Sequence, residues 1–182
     1  ILSGLVGSEM CIRDRSTPMS GILEHVQIGY SFNTLWHPRL ILEWDYASSR
    51  FNPLYGIAVI DFGPTGILGL FDRVNINSPG WRLQLSPDRN VFIYLSHRLW
   101  WLQDGKSPVG WSTAGLSDPT GRAGNYIGDS VEIAARWDAA YNLAFQAGWQ
   151  ILMKGRFAKE APGAPQNPSD VNYFYVETEV RI

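Results

Sequence analysis

Twelve charged side chains fall on the polar faces of strand-like segments, where together they would make a polar wall. They are six basic and six acidic residues: Arg39, Arg82, Arg98, Arg136, Lys154 and Arg181, and Glu43, Asp45, Glu132, Asp138, Glu177 and Glu179. Neighbours of opposite sign, such as Glu132 and Arg136, can either neutralise one another across the sheet or contact a passing solute. The balance of signs argues against a uniformly positive surface.

Catalytic and metal chemistry find little support in the sequence. Carboxylate pairs such as Glu43 with Asp45 are of the type used in glycoside hydrolysis, but charged walls produce such pairs routinely. His25, His37 and His97 are scattered without metal-ligand spacing, and no nucleophile elbow, phosphate-binding loop or histidine-glutamate metal motif occurs. The single cysteine, Cys11, excludes an internal disulfide framework. We therefore expect no enzyme activity, no catalytic residues, no metal and no cofactor.

The charge balance also bears on partners. The formal net charge is -2 and the pI is about 5.9. Binding to a nucleic-acid backbone needs a clustered basic surface, so we expect no nucleic-acid partner. No run of about 18 apolar residues occurs, which excludes a transmembrane helix on length.

The elements that position the charges alternate with period two, as strands do. In the last ten residues the apolar face carries Phe174, Val176, Thr178, Val180 and Ile182, and the polar face carries Tyr173, Tyr175, Glu177, Glu179 and Arg181. The pattern predicts about seven strands, near residues 22–32, 39–48, 81–86, 91–102, 130–138, 142–151 and 173–182. Most of them reach the roughly 9 to 11 residues that a membrane-crossing strand needs.

The connections between these strands alternate between short and long. Tight turns are expected at 33–38, 87–90 and 138–141, and long connections at 49–80, 103–125 and 154–171. Outer-membrane barrels have this asymmetry, with tight periplasmic turns and longer extracellular loops. We therefore expect an all-β, antiparallel, up-and-down transmembrane β-barrel, located in the bacterial outer membrane. Six tryptophans would then form aromatic girdles, with packing in a soluble core as the alternative: Trp44, Trp81, Trp100, Trp101, Trp137 and Trp149.

The first fifteen residues differ in pattern from the rest of the chain. Residues 1–15, ILSGLVGSEMCIRDR, show no useful period and resemble a translated sequencing-adapter scar, so we expect a non-native, disordered segment. Seven strands do not close a bacterial barrel, which needs an even number of at least eight. Either the pattern misses one strand, or residues 16–182 are the C-terminal portion of a larger barrel, which the apparent scar favours.

Several motifs, in order, resemble those of the alginate-export family of outer-membrane proteins. They are FNPLYG, DFGPTGI, DRVNI and SPG within residues 51–80, GRAGNYIGDSVEIAARW at 121–137, KGRFAKEAPGAP at 154–165 and DVNYFYVETEV at 170–180. The resemblance covers nearly everything after about residue 20. It implies a large single-chain barrel whose extracellular loops fold over or into the pore. It also implies a passive channel, whose alginate-secreting members have an arginine-rich constriction.

The resemblance and the pattern together lead to expectations about function. The twelve charged residues would line the pore, and Asp61, Arg73 and Asn75 in the first long loop would form a constriction, unless they pin the loop through turn hydrogen bonds. The partners would be outer-membrane lipid and lipopolysaccharide, the barrel-assembly machinery through the C-terminal strand, and a polysaccharide or small-solute cargo. The alternative is a soluble or surface β-barrel or sandwich that binds carbohydrate through its Trp and Tyr side chains.

Overall fold

The computed structural model describes residues 6–13, 18–51, 69–167 and 169–181, with side chains described from residue 21 onward. These residues form one sheet of eight strands in sequential order, each antiparallel to the next. The strands are β1 (Val6–Arg13), β2 (Pro18–Ser31), β3 (Arg39–Ala47), β4 (Ile76–Asp88), β5 (Val91–Leu102), β6 (Tyr126–Ala140), β7 (Leu143–Lys154) and β8 (Val171–Val180). Such an up-and-down order follows from joining each strand directly to its neighbour.

The seven strands from β2 to β8 confirm the predicted all-β, up-and-down class. Strand β1 lies within residues 1–15 and pairs with β2; the origin of that segment stays a prediction. The outermost strands are β1 and β8, and within the described ranges they do not pair with each other, so the sheet is not closed.

The helical content is small. A 3₁₀-helix covers Ser112–Ala114, and the helix α1 covers Arg156–Glu160. Neither of these helices, the ones found in the described part of the chain, is long and apolar enough to cross a membrane.

From β2 onward, the short and the long connections lie at opposite ends of the strands. Residues 32–38, 89–90 and 141–142 join strands at what we call the short-turn rim, and residues 48–75, 103–125 and 155–170 join them at the long-loop rim. Strand β4 begins at Ile76, five residues before Trp81, where the sequence pattern predicted its start. The prediction was late because Pro79 and Gly80 are typical of a turn. The structure keeps both residues inside the strand.

The burial pattern is inverted relative to a water-soluble sheet. In β3, Leu40 and Leu42 are exposed while Glu43 and Asp45, on the opposite face, are buried. Val176 in β8 is 68% exposed, whereas Asp45 is 1% exposed. Because neighbouring residues of a strand point to opposite faces, the sheet has an apolar face and a polar face. We use these names for the faces carrying Leu42 and Asp45, respectively.

The main hydrophobic core lies at the long-loop rim. Phe71 stacks on Trp100 with ring centroids 3.7 Å apart and on Trp111 at 5.3 Å, and Leu116 and Phe157 complete the cluster. We call these packed parts of the three long connections the loop cap. Trp100 lies within this core and is 1% exposed, so its predicted place in an aromatic girdle is wrong. Adjacent tryptophans in one strand must point to opposite faces, and Trp100 takes the polar face.

Candidate functional site

The guanidinium group of Arg98 organises the polar face. Its Nη1 donates to Oε2 of Glu43 at 2.6 Å, and its Nη2 bonds to Oδ2 of Asp45 and to the carbonyl oxygen of Ser78. Its Nε donates to the Ser78 hydroxyl at 3.2 Å. The side chains of Arg98, Glu43 and Asp45 are each at most 5% exposed. A buried cation with this many charge-assisted hydrogen bonds is held rigidly.

Gly80 allows Arg98 to reach the acids two strands away. Gly80 in β4 pairs with Glu43 in β3 and with Arg98 in β5. A Cβ atom at Gly80 would lie 2.5 Å from Cγ of Arg98, which is closer than real contacts allow. The Arg98 side chain therefore crosses β4 over a residue without a side chain. A glycine inside a strand often marks such a close approach.

The network extends along the polar face in both directions. Nδ1 of His25 lies 2.8 Å from Oδ1 of Asp45. On the other side, Arg82 lies 3.6 Å from Glu43 and 5.5 Å from the centre of the Tyr94 ring. The Tyr94 hydroxyl in turn donates to Oε1 of Glu132 at 2.5 Å. Groups of opposite sign therefore compensate one another from β2 to β6.

A second charged cluster lies at the short-turn rim. Nη2 of Arg136 is 3.0 Å from Asp138 and 2.9 Å from Glu179, and Nε of Arg181 is 2.7 Å from Glu179. These side chains are more exposed than those around Arg98. Solvent screens such pairs, so each contributes little to stability.

The other predicted wall residues are placed separately. Arg39 is partly buried on the polar face near the short-turn rim, and Glu177 is exposed on β8. Lys154 ends β7, and its Nζ donates to the Asn167 carbonyl oxygen at 3.1 Å. Glu43, Asp45, Arg82, Arg98 and Glu132 are thus brought together in the central network, and Arg136, Asp138, Glu179 and Arg181 in the rim cluster.

The loop residues that were predicted to form a constriction lie in different environments. Asp61 lies outside the described residues, and Arg73 is exposed. Asn75 is fully buried with a left-handed backbone, φ 52°. Its Nδ2 donates to the carbonyl oxygens of Asp104 and Gly110, both at 3.1 Å, and its Oδ1 accepts from the Asp104 amide at 2.9 Å. Asn75 therefore joins the first long connection to the second within the loop cap.

Asp118 performs a similar task inside the second long connection. Its carboxylate accepts from the Ala123 amide at 2.7 Å and from the Thr120 hydroxyl at 2.6 Å. These hydrogen bonds, led by the one from Ala123, hold the pKa of Asp118 below its usual range. The ionised form of Asp118 therefore stabilises this part of the loop cap.

The sequence reasoning missed Ser78, Tyr94 and the pairing of His25. Ser78 could have been found from the sequence, because the small residues of the segment that ends at Gly80 leave room for a large side chain from a neighbouring strand. Tyr94 gave no comparable signal, because the alternation in the segment around it is compatible with either face of the strand. Within the described ranges, no group of three or more His, Cys, Asp or Glu side chains is placed to hold a metal ion.

Residues 24–172 match the model of a protein family described as Alginate export. The match runs from β2 into β8 and includes the whole network around Arg98 and the loop cap. No curated protein and no solved structure matches the chain.

Proposed function

The chain belongs to the alginate-export family, a family of outer-membrane porins, and we propose that its sheet forms part of the wall of a passive channel. A polysaccharide or a small solute would cross the bacterial outer membrane along the polar face. The observation that carries this proposal is the inverted burial: exposed leucine and valine on one face, and buried arginine and carboxylates on the other. A sheet between lipid and an aqueous lumen requires this arrangement.

The apolar face supports contact with lipid. Leu40, Leu42, Ile133 and Val176 are all at least 40% exposed. Large exposed apolar surface is unfavourable in water, and a contiguous patch of it marks a contact with another apolar phase. Outer-membrane lipid and lipopolysaccharide are the partners that we propose for this face.

The polar face supports a lumen that is polar but close to neutral. Arg98 is neutralised by Glu43 and Asp45, and Arg136 by Asp138 and Glu179. Anion selectivity requires rings of basic side chains that are free to meet the solute. We therefore propose that these strands provide a polar wall whose charges are paired, and that the loop cap narrows the lumen at the long-loop rim.

The open sheet supports a larger barrel. Hydrocarbon offers no hydrogen-bond partner to an unpaired strand edge, so a sheet in a membrane must close. We propose that residues 16–182 are the C-terminal part of such a barrel and that β8 engages the barrel-assembly machinery.

Conductance with two adjacent cysteine substitutions tests the proposal. The full-length protein, in a cysteine-free background, would carry Glu177→Cys on the polar face or Val176→Cys on the apolar face of β8. A negatively charged, membrane-impermeant thiol reagent should change the single-channel conductance of the Glu177→Cys protein in planar bilayers. The Val176→Cys protein should be unaffected and serves as the matched control.

Two results would overturn the proposal. If the full-length protein is monomeric in buffer without detergent and does not conduct, the chain is a soluble module, for which carbohydrate binding by Trp and Tyr is the alternative. If the reagent acts at position 176 and not at 177, the face assignment is reversed.

A further inference from the structure

Three polar side chains form a hydrogen-bonded cluster on the apolar face. Nε2 of His97 in β5 lies 3.1 Å from Oδ2 of Asp129 in β6, and the Tyr126 hydroxyl donates to Oδ1 of Asp129 at 2.9 Å. The side chains of His97 and Asp129 are 30% and 24% exposed. We call these three residues the apolar-face triad. An ionisable pair on a lipid-facing surface is costly, and residues of this type generally mark a functional site.

A β-bulge builds the triad. Trp101 pairs with Tyr126 and Trp100 pairs with Gly128, so Ile127 is an extra residue in β6. Residues three apart in a regular strand lie on opposite faces, but the bulge places Tyr126 and Asp129 on the same face. Gly128 has φ 147°, and a Cβ atom there would collide with the Met153 carbonyl oxygen. The backbone is therefore shaped to bring the tyrosine hydroxyl to the carboxylate.

The triad lies just below a row of interfacial residues at the long-loop rim. Tyr46, Asn77, Trp101 and Tyr126 pair in succession across β3, β4, β5 and β6. On this face Nε1 of Trp44 donates to Oδ1 of Asn77 at 2.8 Å. Rows of tyrosine and tryptophan mark the level of the lipid headgroups in membrane barrels. Asp129 pairs with Leu99, which is the next residue after Trp101 on this face of β5. The triad therefore extends from this row, to which Tyr126 belongs, by one position along the strands.

From this geometry we propose that the triad binds the sugar headgroup of a glycolipid in the outer leaflet, with lipid A as the reference ligand. The inference rests on the proposed function, since the apolar face must meet a membrane. Asp129 would accept hydrogen bonds from sugar hydroxyl and amide groups. Within the described part of the chain His97 Nδ1 has no hydrogen-bond partner, and it would contact a further hydroxyl.

Aromatic rings beside the triad suit a sugar ring. The Trp81 ring lies 6.3 Å from the His97 ring, and the Trp101 ring lies 5.3 Å from the Tyr126 ring. Their apolar faces can cover the C–H groups of a sugar while the triad bonds its polar groups. An alkyl chain at this position would leave the carboxylate without its remaining hydrogen bonds, which is unfavourable.

Lipid binding to the full-length protein in detergent tests the proposal. The delipidated protein would be titrated with lipid A, and separately with phosphatidylglycerol, and bound lipid would be counted by native mass spectrometry. The variants Asp129→Asn and His97→Ala/Asp129→Asn should bind lipid A at least about tenfold more weakly, the loss expected from one charge-assisted hydrogen bond. His25→Gln alters the histidine of the other His-Asp pair, on the polar face, and should bind lipid A normally.

Each alternative result overturns the inference. Lipid A binding that is unchanged in folded triad variants, as judged by heat-modifiable gel mobility, would show that the triad is structural. Equal binding of phosphatidylglycerol, with equal loss in the variants, would show that the triad binds the hydroxyl groups of any headgroup and does not select a sugar. A change of oligomeric state without a change in bound lipid would assign the triad to a protein interface. Conductance of the same preparations separates this inference from the proposed function, since a conducting channel with no triad-dependent lipid would refute only the triad.

Discussion

Replacing Arg98 by methionine should strongly destabilise the folded protein. Glu43 and Asp45 are at most 7% exposed, and in the variant both buried carboxylates would lose the guanidinium that bridges them, with only Arg82, 3.6 Å from Glu43, and His25, 2.8 Å from Asp45, still close by. Removing one partner from a buried ion pair costs about 3–5 kcal/mol. A change of this size lowers the folding equilibrium constant by about two to three and a half powers of ten, since 1.4 kcal/mol corresponds to a factor of ten.

The assay is urea unfolding of the full-length protein in lipid vesicles, followed by tryptophan fluorescence and by heat-modifiable gel mobility. The triple variant Arg98→Met/Glu43→Gln/Asp45→Asn should recover most of the loss, because the two carboxylates that Arg98 neutralised are replaced by neutral amides. The variant Arg181→Met removes an exposed arginine and should change the free energy of unfolding by less than about 1 kcal/mol. The reasoning is refuted if Arg98→Met is as mild as Arg181→Met, or if the triple variant is no more stable than the single one.

Three further substitutions test other parts of the structure. Gly80→Val should cost about 1–3 kcal/mol of unfolding free energy by displacing Arg98, and a double-mutant cycle in which Gly80→Val and Arg98→Met add fully would contradict the crossing over β4. Val176→Lys should lower the yield of folded protein in vesicles, because a charge at the bilayer midplane destabilises the folded barrel by about 2–4 kcal/mol. Glu177→Lys should leave the yield unchanged, and equal yields of the two variants would contradict the assignment of faces. Asp118→Asn should increase protease cleavage within residues 103–125. Because the pKa of Asp118 is depressed in the folded state, its stabilisation is present at neutral pH and is lost as the pH falls through that lowered pKa, so wild-type protection that persists unchanged in strong acid would count against the Asp118 hydrogen bonds.

The alternation of the sequence was sufficient to predict the strands and their faces. In β3 and β8 most of the alternate residues on one face are apolar, and the structure exposes Leu40, Leu42 and Val176 while burying Glu43 and Asp45. The class of fold and the family could therefore be predicted from local pattern and motif order. Both depend on residues that are close together in the chain.

Errors occurred where a local signal had more than one interpretation. Pro79 and Gly80 read as a turn, but they lie inside β4, where the absence of a side chain makes room for Arg98. Trp100 read as an interfacial residue, but it packs against Phe71 from a distant loop. Neither role can be recognised without knowing which strand or loop is the neighbour.

The sequence by itself determined the period of each strand, the lengths of the connections and the two chemically different faces, because these are properties of neighbouring residues. The tertiary structure alone decided the partners. Arg98 lies 53 positions from Asp45 and 55 from Glu43, and Asp129 lies 32 from His97. Cross-strand register and a single bulge set these contacts, and a shift of one residue would move each side chain to the opposite face.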